Sequence, residues 1–280
     1  MSIVNFNDIL PSARAEKRAV GAFNIANYET AKAVVMAAEA ENAPVIIQVY
    51  QRLMEDRFIA SLGAMMRDMA ERSSVPVAVH LDHGVSLEQV KLAIDCGFTS
   101  VMLDGSQLPF EENVELTRKA AEYAHEFGVT IEGEIGHVPL NGTEGAENIP
   151  LSTPDEARQF ALATGVDALA VSVGTAHGYY AKAPEISVDR AREINAVVDI
   201  PLVLHGGSDT PMDKVREVIR NGFAKVNVAT EFQHAFQLKL QNDINALNGK
   251  FLPLDKIMIQ PTAAAAEHLR KLIRFFSDIA

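Results

Sequence analysis

The octapeptide VAVHLDHG, residues Val77–Gly84, is a short apolar run that ends in an acid, a histidine and a glycine. The pattern recurs, because His177 and His205 also close short, mainly apolar runs. Neutral imidazole is the most common metal ligand in proteins, and three protein ligands with one open position are typical of catalytic zinc. The sequence therefore predicts a metal site built from His83, His177 and His205, in a fold that brings three strand ends together.

Apolar runs alternate with longer helical patterns along the chain, which is typical of β/α units around a parallel sheet. Strands are predicted at 20–25, 45–49, 77–81, 100–103, 130–135, 168–173, 202–204 and 225–228. Helices are predicted at 30–41, 87–95, 111–127, 154–163, 211–221 and 231–242, with an additional C-terminal helix at 262–277. Eight strands alternating with helices in 280 residues predict an α/β fold, a (β/α)8 TIM barrel with an extra C-terminal helix.

A doubly wound dinucleotide-binding sheet is the competing architecture, and its first strand normally leads into a G-x-G-x-x-G turn. Here the turn after the first predicted strand reads Ala26-Asn27-Tyr28-Glu29 and contains no glycine. The barrel is therefore favoured. Because no Pro-, Gly-, Ser- or charge-rich linker interrupts the sequence, we expect one domain over residues 1–280.

Polar residues collect at the carboxyl ends of the predicted strands, where TIM barrels carry their active sites. Besides the three histidines they are Asp82, Asp104, Glu134, Asn227 and Thr230. Neighbours on a strand point to opposite faces, so we expect a turn at Gly84 that frees His83 for the metal. Asp82 would then face the barrel mouth as a proton-transferring carboxylate. His80 shares the parity of Asp82 and is predicted to hydrogen bond behind the ligands rather than to be a fourth ligand.

Two loops have the features of an anion site. Residues 204–211 read LHGGSDTP, in which Gly206 and Gly207 permit close approach of the backbone to a ligand. Thr210 followed by Pro211 is typical of a helix start. Residues 226–231 lead the eighth strand into the next helix. Loops after the seventh and eighth strands are the usual phosphate site of this fold, although ordinary turn and cap chemistry is the alternative explanation.

The composition excludes several classes of protein. The net charge of −12 argues against a nucleic-acid binder, because phosphate backbones require clustered Lys and Arg. The single cysteine, Cys96, allows no internal disulfide and suggests no thiolate metal site. The N-terminus lacks the basic and apolar segments of a secretory signal, and no apolar run reaches the roughly 20 residues that span a bilayer. We expect a cytoplasmic protein with no membrane or nucleic-acid partner.

The segments around these residues resemble the motifs of class II, zinc-dependent ketose-phosphate aldolases, of which the fructose- and tagatose-bisphosphate aldolases are the best known. The matching segments are 77–84, 131–136, 174–178, 204–208 and 227–230, with further matches at 22–24 and 102–106. They follow in order from about residue 1 to residue 245. The H-x-D-H and G-T-A-H-G blocks are specific when they occur together.

The resemblance implies a role for each matching position. His83, His177 and His205 would bind one catalytic zinc ion, and Asp82 would exchange a proton with the C4 hydroxyl of the substrate. Asp104 and Glu134 match positions that can hold a second or displaced metal ion, and a monovalent cation is also compatible with the family. The residues implied to bind dihydroxyacetone phosphate are Asn24, Gly178, Gly206, Gly207, Ser208, Asn227, Val228, Ala229 and Thr230. A small phosphorylated sugar is the expected partner of a homodimer or homotetramer.

The sequence departs from the family at two places. The glycine-rich loop after the fifth strand is broken, and Glu144 is the best match to its catalytic glutamate. Bisphosphate-specific relatives hold the distal phosphate with a serine after strand 2 and an arginine near the last helix. Here Tyr50 stands at the first position, and no arginine precedes Arg270 at the second. Strand alternation would aim Gln48, Tyr50 and Arg52 toward the barrel mouth.

These departures predict a zinc-dependent lyase that cleaves a ketose 1-phosphate to dihydroxyacetone phosphate and an aldehyde, with no phosphate at the distal end. That end would be a hydroxyl, a methyl or another anion met by Arg52. The alternatives are a fructose- or tagatose-1,6-bisphosphate aldolase giving glyceraldehyde 3-phosphate, and a catalytically silent partner subunit. A Schiff-base aldolase would need a lysine inside the barrel, and Lys225, at the start of the eighth strand, is expected at the wrong rim.

Overall fold

The computed structural model describes residues 2–139, 150–180 and 183–277. The strands are β1 (Ile3–Val4), β2 (Val20–Asn24), β3 (Val45–Tyr50), β4 (Val77–Gly84), β5 (Ser100–Leu103), β6 (Thr130–Ile135), β7 (Ala168–Val171), β8 (Leu202–Leu204) and β9 (Phe223–Val228). The first six α-helices are α1 (Phe6–Ala15), α2 (Tyr28–Glu41), α3 (Ile59–Arg72), α4 (Leu87–Asp95), α5 (Phe110–Glu126) and α6 (Pro154–Thr164). The remaining ones are α7 (Val188–Asn195), α8 (Met212–Ile219), α9 (Thr230–Ala246), α10 (Leu254–Ile257) and α11 (Ile259–Ser277), and a 3-10 turn covers Gln51–Glu55.

Strands β2 to β9 form a closed barrel. Each pairs in parallel with its neighbours, and closure comes from the β2–β9 and β4–β5 pairings. Helices follow the strands, and α11 packs against α2 and α9 as the extra C-terminal helix. The predicted TIM barrel is therefore confirmed. The short β1 is not one of the eight barrel strands. It pairs in parallel with the start of β4, where Ile3 lies opposite Val77.

Helix α1, which was not predicted from the sequence, closes the amino-terminal end of the barrel. Phe6, Ile9, Leu10 and Ala13 pack with small side chains that point inside the barrel from several strands. The sequence does contain a local signal, because the Asn5 side chain caps the helix and Asp8 Oδ2 accepts a hydrogen bond from the Asn5 N–H at 3.0 Å. A second, larger apolar core fills the space between the strands and the outer helices. The mouth at the carboxyl ends of the strands is thereby left as the accessible end.

Two strand boundaries differ from prediction in ways that affect the site. Strand β4 continues to Gly84 instead of ending at Leu81, with a register shift against β5 between these two residues. Strand β9 begins at Phe223, so Lys225 is its third residue and is fully buried inside the barrel instead of lying at the rim. Helices α3 and α7 were also not predicted. Among the described residues, no helix is both long and apolar enough to cross a membrane.

Candidate active site

Three histidine side chains from three different strand ends meet at the mouth of the barrel. The ring centroids lie 5.0 Å apart for His83 and His177, 4.6 Å for His83 and His205, and 5.9 Å for His177 and His205. One nitrogen from each ring falls within 4.8 Å of the others. His205 Nδ1 and His83 Nε2 are only 2.9 Å apart. The donor set and its spacing fit a divalent metal ion with three imidazole ligands.

The backbone at His83 aims its ring at this group. His83 has a φ of +55°, in the left-handed region that residues other than glycine rarely occupy. The turn is thus made by His83 itself, within the irregular part of β4, which corrects the expectation that Gly84 supplies it. Gly84 is needed for another reason, because a Cβ there would lie 2.5 Å from the Met102 carbonyl oxygen of β5. Such strained positions cluster at functional sites.

A second group of potential ligands shares His83. It combines His83 with Asp104 and Glu134, again within 4.8 Å. Asp104 Oδ2 accepts a 2.8 Å hydrogen bond from His83 Nδ1, so Nε2 faces the other histidines. Glu134 is fully buried, and its Oε2 has no hydrogen-bond partner among the described residues. An orphaned buried carboxylate oxygen is costly, and this one lies 3.5 Å from His205 Nδ1. A cation between them would satisfy it.

Burial and neighbouring charges together set the ionisation of these groups. Burial alone would lower the pKa of His83, but the carboxylates of Asp82, Asp104 and Glu134 outweigh it and raise the pKa to about 10. Burial, and then the charge of His83, lowers the pKa of His177 to about 3. Burial, reinforced by Asp104, raises the pKa of Glu134 well above its usual range. His177 is therefore neutral, as a metal ligand must be, whereas a metal ion bound at His83 would have to replace a proton on that ring.

Asp82 lies beside the histidines with both carboxylate oxygens engaged. Its Oδ2 accepts a 2.6 Å hydrogen bond from Asn24 Nδ2, and its Oδ1 accepts one of 3.0 Å from Asn227 Nδ2. Gln48 Nε2 in turn donates to Asn24 Oδ1 at 2.8 Å. Asp82 is 1% exposed, lines the central cavity and lies 3.9 Å from His83 Nε2. The amides fix the orientation of this carboxylate toward the cavity.

The central cavity opens at the barrel mouth and spans about 270 Å³, open solvent included. It is lined by Asn24, Tyr50, Asp82, His177, Gly178, Gly206, Ser208, Asn227, Ala229 and Thr230. One wall is an arrangement of backbone amides, since Ser208 Oγ accepts 3.2 Å hydrogen bonds from the N–H groups of Ala229 and Thr230 at the start of α9. Helix N-termini favour anions because their first N–H groups have no partner within the helix, and here Ser208 Oγ occupies two of them. We call this wall, formed by Ser208, Ala229 and Thr230, the cradle.

Gly207 and Val228, which were also predicted to bind dihydroxyacetone phosphate, are placed behind the surface of the cavity. Gly207 packs its Cα against β9, where a Cβ would lie 2.7 Å from the Asn227 carbonyl oxygen. Val228 is buried in the outer apolar core. Neither residue lines the cavity. Thr210 was predicted to cap α8, but Pro211 is the N-cap residue of that helix. The Thr210 hydroxyl instead donates to the Gly206 carbonyl oxygen at 2.8 Å.

The chain matches the family described as fructose-bisphosphate aldolase class-II over residues 4–279. It belongs to the class II fructose-bisphosphate aldolase family. A curated relative, the fructose-bisphosphate aldolase of Staphylococcus epidermidis, is 40% identical over 253 residues, which cover 88% of this chain and 87% of the relative. The crystal structure of the YdjI aldolase from Escherichia coli K12 is 30% identical with a TM-score of 0.87, covering 98% and 97% of the two chains. The fructose-bisphosphate aldolase of Campylobacter jejuni shares the fold, with a TM-score of 0.80 at 21% identity over 98% of this chain and 95% of that one.

Family membership makes this protein an aldolase, a carbon–carbon lyase that acts by aldol cleavage of a ketose phosphate. Class II members are generally zinc-dependent, in agreement with the groups of histidines and acids at the mouth. An enzyme with this donor set is not the silent partner subunit considered above. Glu144, the expected match to the catalytic glutamate, lies outside the described residues.

The residues considered for the distal end of the substrate are placed differently from what the sequence predicted. Strand β3 ends at Tyr50, and Arg52 lies in the following 3-10 turn, so strand alternation does not reach it. Arg52 is exposed and stacks on the Tyr50 ring at 4.3 Å, whereas Gln48 is buried behind Asn24. Arg270 is held outside the barrel by Glu41 at 2.8 Å and by Glu267 at 3.1 Å.

Three residues that support the aldolase site were not predicted from the sequence. Glu132 and Lys225, fully buried inside the barrel, form an ion pair of 2.7 Å, and Glu132 also contacts His205. Lys225 is thus inside the barrel, as a Schiff-base lysine would be, but its ammonium group is engaged by Glu132. Tyr180 follows the G-T-A-H-G block, and its hydroxyl donates to the Ala176 carbonyl at 2.6 Å while accepting from the Ala176 N–H at 2.7 Å. No motif in the sequence marks Tyr180 for this role.

Proposed function

We propose that this enzyme is a zinc-dependent aldolase that reversibly cleaves a ketose 1-phosphate to dihydroxyacetone phosphate and an aldehyde whose distal end carries no phosphate. The observation that supports the proposal most directly is one cavity lined by His177, Asp82 and the cradle, with His83 and His205 beside it. A metal-binding group, a positioned carboxylate and an anion site are the three parts that this reaction needs.

The metal site would be formed by the imidazoles of His83, His177 and His205, with Asp104 and Glu134 available to a second or displaced ion. When bound, zinc supplies a Lewis acid that stabilises negative charge on the carbonyl oxygen of the substrate. Orientation is the contribution of the protein: the cradle holds the C1 phosphate, so the carbon chain extends from it across Asp82 toward Tyr50.

Asp82 performs the proton transfer in this proposal. As the C3–C4 bond breaks, its carboxylate takes the proton of the C4 hydroxyl, C4 becomes the aldehyde carbon, and the bonding electrons remain on C3. In the condensation direction Asp82 returns that proton. Asn24 and Asn227 hold the carboxylate in the same place for both directions. Proton exchange at C3 is assigned to Glu144.

The distal end of the substrate would occupy a second, more open cavity that adjoins the first and spans about 820 Å³, open solvent included. It is lined by Tyr50, Arg52, Tyr179, Ala229, Thr230, Gln233, His234 and Gln237. Phenol, amide and imidazole groups suit the hydroxyl groups of a sugar chain. A buried phosphate dianion is usually met by several charge-assisted donors. Of these lining residues only Arg52 carries a permanent positive charge, and its guanidinium stacks on Tyr50.

A substrate panel tests the distal assignment. We expect kcat/KM for ketose 1-phosphates with an uncharged distal end to exceed that for fructose and tagatose 1,6-bisphosphates. Arg52→Gln is expected to change kcat/KM for the uncharged-ended substrates by less than about threefold, because lost hydrogen bonds to charged groups cost about 1.5–3 kcal/mol and these substrates present no such group.

A bisphosphate substrate is the second candidate, favoured by the name of the 40% identical relative. A preference of about a hundredfold for either bisphosphate, equivalent to roughly 2.7 kcal/mol of transition-state binding, would contradict the proposal. In that case Arg52→Gln should selectively impair cleavage of the bisphosphate.

The cradle gives a further prediction. Ser208→Ala removes the hydroxyl that lies against the amides of Ala229 and Thr230. We expect KM for the ketose phosphate to rise about tenfold, since a hydrogen bond to a charged group is lost, while metal content stays unchanged. Steady-state kinetics and metal analysis measure both. Ser86→Ala, which removes the cap of α4, is the matched control and should leave KM unaltered. An unchanged KM in Ser208→Ala would remove the serine from the phosphate site.

The organisation as one domain over residues 1–280, the homodimeric or homotetrameric state and the cytoplasmic location remain predictions. Light scattering of the purified protein tests the oligomeric state directly.

A further inference from the structure

A chain of three buried side chains runs from the interior of the barrel to the metal-binding group. Lys225 Nζ donates to Glu132 Oε2 at 2.7 Å, and Glu132 Oε1 accepts from His205 Nε2 at 2.7 Å. The side chains of all three residues are 0% exposed. Glu132 therefore uses one oxygen for the lysine and the other for the histidine.

The geometry determines which nitrogen of His205 is free. A carboxylate only accepts hydrogen bonds, so the contact with Glu132 places the His205 proton on Nε2. Nδ1 is left unprotonated, and this is the atom that lies 2.9 Å from His83 Nε2 and 3.5 Å from Glu134 Oε2. A metal-binding histidine needs this tautomer, and the partner of its other nitrogen orients the ring.

Lys225 balances the charge of Glu132 where both side chains are fully buried. The Phe6 ring of α1 lies 5.5 Å from Lys225 Nζ and 4.8 Å from the His80 ring. His80 Nδ1 contacts Ser100 Oγ at 3.1 Å, and its Nε2 is 3.8 Å from Glu132 Oε2. Burying an ion pair is expensive, and apolar residues of similar volume are often as stable or more stable at such positions. Fold stability alone therefore gives little reason for a charged pair here.

We propose that Glu132, neutralised by Lys225, is a positioning residue that sets the tautomer and ring orientation of His205 for metal binding. The inference rests on the proposed metal site. It assigns a role to two residues that lie on β6 and β9 inside the barrel and that do not line the substrate cavity.

The first test separates positioning from stability. Glu132→Leu combined with Lys225→Met replaces the ion pair by apolar groups, and we expect a folded protein with unchanged or higher thermal stability. Its zinc affinity, measured by competition with a chromophoric chelator, should fall about 10–100-fold, as for other partners of metal-binding histidines. Zinc affinity within threefold of the wild-type value in the folded double variant would overturn the proposal.

The second test uses a conservative change and its rescue. In Glu132→Gln the amide nitrogen is repelled by the Lys225 ammonium and turns toward His205, so the protein places an N–H donor at Nε2 and the proton moves to Nδ1. Zinc affinity should fall about 10–100-fold, and the visible spectrum of the Co²⁺ form should change. Adding Lys225→Met releases the amide, whose oxygen can again accept from Nε2, and most of the affinity should return. No loss in Glu132→Gln, or no recovery in this double variant, would contradict the positioning role.

Controls distinguish this inference from the proposed function. Asp167→Asn alters a partly buried acid near the start of β6, where Asp167 Oδ2 accepts from the Ile131 N–H at 2.8 Å. It should lower stability without changing zinc affinity. If wild-type protein itself does not bind zinc, the proposed function fails. If wild-type protein binds zinc and the Glu132 variants bind it equally well, only the positioning role fails.

Discussion

Replacing His205 by alanine is expected to abolish metal retention and carbon–carbon cleavage together. His205 supplies Nδ1 to the three-histidine group, and the two remaining imidazoles leave an incomplete ligand set. Loss of a hydrogen-bond partner of a ligand already costs about 10–100-fold in metal affinity, and loss of the ligand itself should cost more. Metal content after dialysis and aldol cleavage measured by the release of dihydroxyacetone phosphate check this result.

His137→Ala is the matched control for this change. His137 lies near the same mouth and contacts Ser106 Oγ at 3.3 Å, but it belongs to neither group of potential ligands. It should keep its metal. A fully active, metal-free His205→Ala enzyme would refute the metal site, and borohydride trapping of a substrate adduct would then point to a lysine mechanism.

Asp82→Asn is expected to lower the rate of cleavage by about 10²–10⁴-fold while metal content persists. The amide cannot take the proton of the C4 hydroxyl, although it retains the shape of the carboxylate. Exchange of the C1 proton of dihydroxyacetone phosphate should survive better, because that step uses a different base. Isotope exchange, cleavage kinetics and metal analysis on one preparation separate the three quantities.

The surroundings of Asp82 require a second variant. Asn24 and Asn227 both donate to Asp82, so an asparagine at this position can accept from only one of them. Asn227→Asp together with Asp82→Asn restores a donor–acceptor pair and should recover the stability lost in Asp82→Asn, but not the cleavage rate. If Asp82→Asn loses its metal along with its activity, the acid–base role is not supported.

The sequence alone determined the (β/α)8 fold of this protein and the identity of its three histidine ligand candidates. Both follow from local patterns, because each β/α unit shows its apolar run and its helical segment in contiguous residues. The carboxyl ends of parallel strands share one rim of a barrel, so His83, His177 and His205 are expected to be neighbours. The anion site proposed at the start of α9 could be predicted for the same reason, since a strand, a short loop and a helix start follow one another in the chain.

Only the tertiary structure decided how these residues are oriented and supported. The left-handed turn at His83 arises where β4 slips against β5, which no pattern within residues 77–84 specifies. Glu132 and Lys225 are 93 residues apart, and barrel closure brings them together beneath His205. Arg52 leaves the strand because the chain enters a 3-10 turn after Tyr50. Register, bulges and buried ion pairs depend on contacts between segments that are distant in the chain. Patterns within a single segment do not specify such contacts.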